Sequence, residues 1–171
     1  MAYPPKIYGP ATTGLTFQNV FGALGPEDYV TGHYTAGPVD QSDRHALQLC
    51  RQYHQAHKAK GWGGIGYHFC ITRKGNIILL RPLHLKGAHV GGHNSRNVGV
   101  MMHGTTGDKP TRAQRRAYRW LLANAHTRRL PRTHRTDQDL RAATRRGHNS
   151  WSGHRANACP GSFKPMFLKG R

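Results

Sequence analysis

Ile65-Gly66-Tyr67-His68-Phe69-Cys70-Ile71-Thr72, then Lys74-Gly75-Asn76, then Ile77-Ile78-Leu79-Leu80 is the stretch from which the architecture can be read. Two β-branched, aromatic and aliphatic runs flank a Gly-Asn turn, which reads as a β-hairpin, and Pro82 ends it. Upstream, residues 28–35 read as a core strand ending at His33, and Gly37-Pro38 turns the chain. Asp40 or Ser42 then caps a helix running to about Lys60 and stopped by Gly61, with Leu47, Cys50, Tyr53 and Ala56 or His57 on its inward face. Downstream, Gly87 to Ser95 is a glycine- and histidine-rich loop, and Asn97 to Gly104 reads as another buried strand. Thr111-Arg112-Ala113-Gln114 is a capping box opening a helix that should run to about Leu130, before Pro131. Residues 132–150 read as basic loop, and Pro160 to Leu168 as a short closing helix. The order strand, helix, hairpin, strand, helix predicts a single α/β domain with a central mixed β-sheet flanked by helices. Residues 1–26 form an extended arm in this reading, and residues 27–171 form the domain.

A chain of 171 residues is long enough for one core and too short for two comfortable ones. It has no run of 18 apolar residues, so no membrane-spanning helix is expected. The N-terminus lacks a basic-then-apolar leader, which predicts synthesis in the cytoplasm without a signal peptide. Cys50, Cys70 and Cys159 are too few for a disulfide framework, and the first two read as buried small hydrophobes.

Charge is the loudest global feature: 26 Lys and Arg against 7 Asp and Glu, a formal +19. Residues 111–146 alone hold eleven Arg and two Asp. Such a field favours polyanions, whether nucleic acid, anionic membrane or a bacterial wall rich in phosphate and carboxylate. The lone Glu27 and scattered Asp residues offer no carboxylate pair for a glycosidase, and no His-Glu-x-x-His helix is present.

Chemistry concentrates near the end, in Ser152-Gly153-His154-Arg155-Ala156-Asn157-Ala158-Cys159-Pro160-Gly161. Imidazole and thiolate both suit zinc, and a catalytic zinc takes three protein ligands with one position open. His33, at the mouth of its strand, is the best third candidate, giving a site of His33, His154 and Cys159. Trp62, Trp120 and Trp151 read as core or rim, and His68 as structural, on the face opposite Tyr67.

Five segments, in order over residues 28–161, resemble the zinc-dependent N-acetylmuramoyl-L-alanine amidases of type 2, the family of phage endolysins and peptidoglycan recognition proteins. They are Gly32-His33-Tyr34-Thr35-Ala36; Arg51-Gln52-Tyr53-His54 with Gly61-Trp62; Gly66-Tyr67-His68-Phe69; Gly87-Ala88-His89-Val90 through His93-Asn94 to Val98-Gly99-Val100; and Gly153-His154-Arg155 with Ala158-Cys159-Pro160-Gly161. The resemblance implies a peptidoglycan recognition protein-like fold, Zn2+ held by His33, His154 and Cys159, and a catalytic tyrosine at Tyr67. It also implies that Asn157 stands where active members commonly carry Lys or Thr, and the shorter spacing from His154 to Cys159 than the family's makes His148 the fallback ligand. His89, Asn94 and Arg155 are the expected substrate-binding residues. The implied activity is cleavage of the N-acetylmuramic acid to L-alanine amide by a monomer, acting at the cell wall after release and docking on anionic wall polymers through its basic surface. Two other classes stay in view: a non-catalytic peptidoglycan-binding protein of the same fold, and a basic nucleic-acid-binding module, for which no motif speaks.

Overall fold

The computed structural model describes residues 4–169. Its centre is a six-stranded sheet ordered β1-β4-β3-β5-β2-β6. In chain order the strands are β1 (Ile7–Tyr8), β2 (Tyr29–Tyr34), β3 (Phe69–Ile71), β4 (Ile77–Leu79), β5 (Asn97–Met102) and β6 (Thr144–Gly147). Only β3 and β4, the hairpin, run antiparallel; every other neighbouring pair is parallel. The helices are α1 (Pro10–Thr13), α2 (Asp43–Ala59), α3 (Arg112–Asn124) and α4 (Lys164–Lys169). This is the mixed sheet with flanking helices that the element order predicts.

Strand alternation sends side chains to two cores. Phe69, Ile71, Ile77, Leu79, Val98, Val100 and Met102 pack with Ala117, Leu121 and Phe167 of α3 and α4. Cys70, Ile78 and Met101 pack with Ala46, Leu47 and Cys50 of α2. Gly32 lets α4 lie flush on β2, since a Cβ there would sit 2.0 Å from Phe167 Cγ. Because Gly32 faces α4, its neighbours Thr31 and His33 face the α2 side, where the cleft lies.

Ser42 caps α2 by accepting from the His45 amide, and the Thr111/Gln114 capping box of α3 is complete. Three expectations need correction. The helix expected to reach Leu130 ends at Asn124, because Asn124 Nδ2 and Thr127 Oγ1 donate to the carbonyls of Trp120 and Asn124 and turn the chain. Residues 132–150 are not all loop: Thr144–Gly147 is β6, an edge strand on β2. Residues 4–26 are not a plain arm, since Ile7–Tyr8 adds the opposite edge strand beside β4.

Candidate metal centre and cleft

β2 delivers His33 at 1% exposure, next to the chain segment that carries Cys159. Cys159 Sγ lies 3.7 Å from His33 Nδ1, and the Tyr34 amide donates to the sulfur at 3.2 Å. The third side chain in the group is His148; donor atoms of His33, His148 and Cys159 lie within 4.8 Å of one another. The expected His154 stands one step behind, its Nδ1 3.0 Å from His148 Nε2. A turn closed by the His154 amide on the Trp151 carbonyl folds His154 back onto His148, ring centroids 4.8 Å apart.

Carbonyl oxygens fix the proton positions. His89 Nε2 lies 3.0 Å from the Asn97 carbonyl, which can only accept, so His89 Nε2 carries the proton and Nδ1 accepts. That Nδ1 is 3.0 Å from His33 Nε2, so His33 Nε2 donates and His33 Nδ1 is left as a bare lone pair facing Cys159. His154 Nε2 in turn donates to the Gly91 carbonyl at 2.9 Å, His154 Nδ1 accepts from His148 Nε2, and His148 Nδ1 is left bare. Two histidine–histidine–carbonyl relays thus present two unprotonated nitrogens, the form a metal takes.

Electrostatics agree. Burial, then the neighbouring His89, His148 and His154, holds His33 well below its ordinary value. Burial, then His154, brings His148 down to about 4, and burial brings His89 to about 4. Burial pushes the Cys159 thiol up to about 12, against the Tyr34 amide, so this sulfur awaits a cation to become thiolate. The donor set fits zinc: nitrogen at about 2.0–2.1 Å and sulfur at about 2.3 Å on a tetrahedral ion lie about 3.6 Å apart.

Above this group is a cleft of about 510 Å³, lined among others by His57, Trp62, Tyr67, His89, Asn94, His154 and Asn157. The Tyr67 ring lies 5.0 Å from the His33 ring. Burial, then Cys159 and Tyr53, raises its phenol above the ordinary value of about 10, so it remains a donor. Asn157 Oδ1 accepts from the Cys159 amide at 2.9 Å, leaving its NH2 as the group available to a ligand. Asn94 Oδ1 is occupied by the His89 and Val90 amides, shaping the loop. Arg155 is exposed and is not among the cleft residues. His68 is structural: Nδ1 accepts from the Gly99 amide while Nε2 donates to the Leu85 carbonyl.

Sequence reasoning passed over Arg81, wholly buried with no carboxylate partner among the described residues. It donates to the carbonyls of Trp62, Gly64, Ile65 and Lys86 at 2.7–3.2 Å and so fixes the cleft wall. It also passed over a chain in which Trp151 Nε1 donates to Thr31 Oγ1, and Thr31 to Asn97 Oδ1. That chain anchors the segment carrying His148 to β2.

The architecture is that of the peptidoglycan recognition proteins. The Drosophila protein PGRP-LB superposes with a TM-score of 0.77 at 24% identity, covering 96% of this chain and 91% of that one. The endolysin N-acetylmuramoyl-L-alanine amidase LysCS of Clostridium intestinale superposes at 0.64 with 22% identity, covering 94% and 90%. The N-acetylmuramoyl-L-alanine amidase family model, Amidase_2, matches residues 24–162, and the chain belongs to that family. Among curated relatives, the endolysin of Klebsiella phage KP32 is 41% identical over 78 residues, 42% of this chain and 52% of that protein. The human N-acetylmuramoyl-L-alanine amidase is 40% identical over 109 residues, 60% of this chain and 19% of that protein. The chain thus spans about half the length of the first relative and a fifth of the second.

Proposed function

We propose that this chain is a zinc-dependent hydrolase of the amide between N-acetylmuramic acid and L-alanine in bacterial peptidoglycan, serving as a phage endolysin. The observation that carries the reading is the meeting of two bare imidazole nitrogens and a buried sulfur on the floor of a cleft, beside a phenol that stays protonated. His33, His148 and Cys159 would hold the ion, with His89 and His154 as the groups that orient the two imidazoles. Zinc in such a site lowers the pKa of water toward about 7 and polarises a carbonyl.

The chain's own residues supply the rest. Tyr67 donates its hydroxyl proton in a hydrogen bond to the oxygen that gains charge as the amide carbon becomes tetrahedral. Asn157 contributes a neutral NH2 in place of the lysine or threonine expected there; it orients the carbonyl without adding charge. Trp62 and His57 form the wall against which the glycan or the peptide stem lies. The basic surface holds the enzyme on anionic wall polymer between turnovers.

The test is mass spectrometry of muropeptides after digestion of purified peptidoglycan. Release of stem peptides with free L-alanine amino termini, abolished by chelation and restored by zinc, is the expected result. Asn157 favours a second reading, a binder of the same fold without catalysis, in which the chain sediments with peptidoglycan and leaves every amide intact.

A further inference from the structure

A second group of metal-binding side chains lies in the core beneath α2, built from residues the cleft does not use. Cys50 on α2, Cys70 on β3 and His103 just beyond β5 are exposed by 1%, 0% and 0%. His103 Nε2 lies 3.5 Å from Cys70 Sγ and 3.7 Å from Cys50 Sγ, and the three donor atoms fall within 4.8 Å of one another. Sulfur and nitrogen ligands on one tetrahedral zinc lie about 3.6 Å apart, the separation found here and again between Cys159 and His33. Three elements distant in sequence, a helix, a strand and a strand end, bring two thiols and an imidazole to one point.

A carboxylate is at hand. Asp40, 2% exposed, spends Oδ2 on the Arg73 amide at 2.8 Å, while its buried Oδ1 has no hydrogen-bond partner. Its charge acts on Cys50, Cys70 and His103 alike. Burial alone would raise both thiols; at Cys50, hydrogen bonds from Cys70 and His103 outweigh it and bring the thiol below its ordinary value, while Cys70 is held above. The Tyr53 ring stacks on His103, centroids 5.9 Å apart, and fixes the imidazole plane.

The geometry points to a second, structural zinc site made by Cys50, Cys70 and His103, with Asp40 as the outer carboxylate. Two thiolates and a neutral imidazole balance the charge of a divalent ion, which lets the site sit in an apolar core. Soft donors select Zn2+ over Mg2+ or Ca2+. No catalysis is expected there, because no solvent reaches the donors. The ion would tie α2 to the sheet that carries His33.

The experiment counts metal in protein produced with Zn2+ supplied, comparing the wild type with His148→Ala/Cys159→Ser, which strips the cleft site and leaves the core untouched. Two zinc ions per chain in the wild type and one in the double variant are expected. The cobalt-substituted double variant should keep the thiolate-to-metal absorption of two sulfurs. One ion in the wild type and none in the double variant overturns this inference while leaving the cleft site standing. One ion in both overturns the cleft site and keeps this one. Cys50→Ser and Cys70→Ser should each drop the wild type by one ion; where they do not fold, the double variant decides. Fewer than three free thiols in the denatured, chelated wild type, the mark of a Cys50–Cys70 disulfide, also overturns it.

Discussion

Tyr67 can be tested with the loss of one oxygen. Its phenol stays protonated because burial, then Cys159 and Tyr53, opposes ionisation, so its part is donation. Tyr67→Phe should keep bound zinc and lower kcat by about 10²–10³, the usual loss for one oxyanion donor. A kcat within threefold of wild type would remove Tyr67 from the chemistry. The two relays make a different forecast. His154→Ala leaves His148 Nε2 without its acceptor and should cost about 10–100-fold in zinc affinity, as loss of an orienting partner does. A chelator competition titration reads this directly, and an unchanged zinc affinity would reduce His154 to a bystander. That His33 and Cys159 come together was legible from the ligand chemistry of two short motifs, and Tyr67 beside them from the family resemblance. The choice between His148 and His154 was not, because a local turn decides which ring reaches the sulfur and which stands behind it.

At the scale of elements, Arg81 holds together the loop between α2 and β3. Four backbone carbonyls converge on one guanidinium, and burial lowers its pKa only to about 10, so it is charged at neutral pH. Arg81→Met keeps bulk and removes every donor, leaving buried carbonyls unpaired at about 1–3 kcal/mol each where water cannot reach them. The expected destabilisation is about 3 kcal/mol by urea unfolding, and a loss under about 1 kcal/mol would mean the loop finds other partners. The hairpin, β2 and β5 were legible as apolar runs bounded by turns, and both long helices as an apolar stripe behind a cap. β6 was not: Thr144-Arg145-Arg146-Gly147 is polar, and it is a strand only because β2 offers it an open edge. The early end of α3 was missed for a related reason, since the stop comes from Asn124 and Thr127 side chains while the reading placed it at Pro131.

Across the whole molecule, buried and half-buried histidines set the response to acid. Seven of them, His33, His54, His57, His68, His89, His134 and His148, are lowered, first by burial in every case. Unfolded, each titrates near about 6.5. Between the folded and unfolded values the unfolded chain binds more protons, so stability is fully present above about pH 6.5 and is lost as pH falls toward the folded values. For His57 that folded value is about 4. His103 runs the other way, being raised, and its contribution is lost as pH rises. The midpoint of thermal unfolding should therefore fall steadily from about pH 7 to about pH 5. A flat profile over that range would mean these rings are not buried and neutral. Chelated protein should be used, so that protonation is not confused with release of metal.

The same balance of charge bears on the docking proposed above. The formal +19 already counts all seven acids, and several of them are turned inward: Asp40 is buried, Glu27 is 4% exposed, and Asp43 is engaged by Tyr8, Thr72 and Asn76. Arg112, Arg115, Arg116 and Arg119 lie exposed along α3. Under the proposed function, attraction to phosphate- and carboxylate-bearing wall polymer would be long-ranged at low salt and short-ranged at high salt. From about 0.01 M to about 1 M the screening length shrinks from about 30 Å to about 3 Å. Sedimentation with intact cell walls should fall steeply over that span, while hydrolysis of a small soluble muropeptide, which needs only the cleft, should change little. Walls stripped of anionic polymer should lose the salt dependence and most of the binding. Binding that holds at high salt would place wall recognition in the cleft and leave the basic face without a part in it.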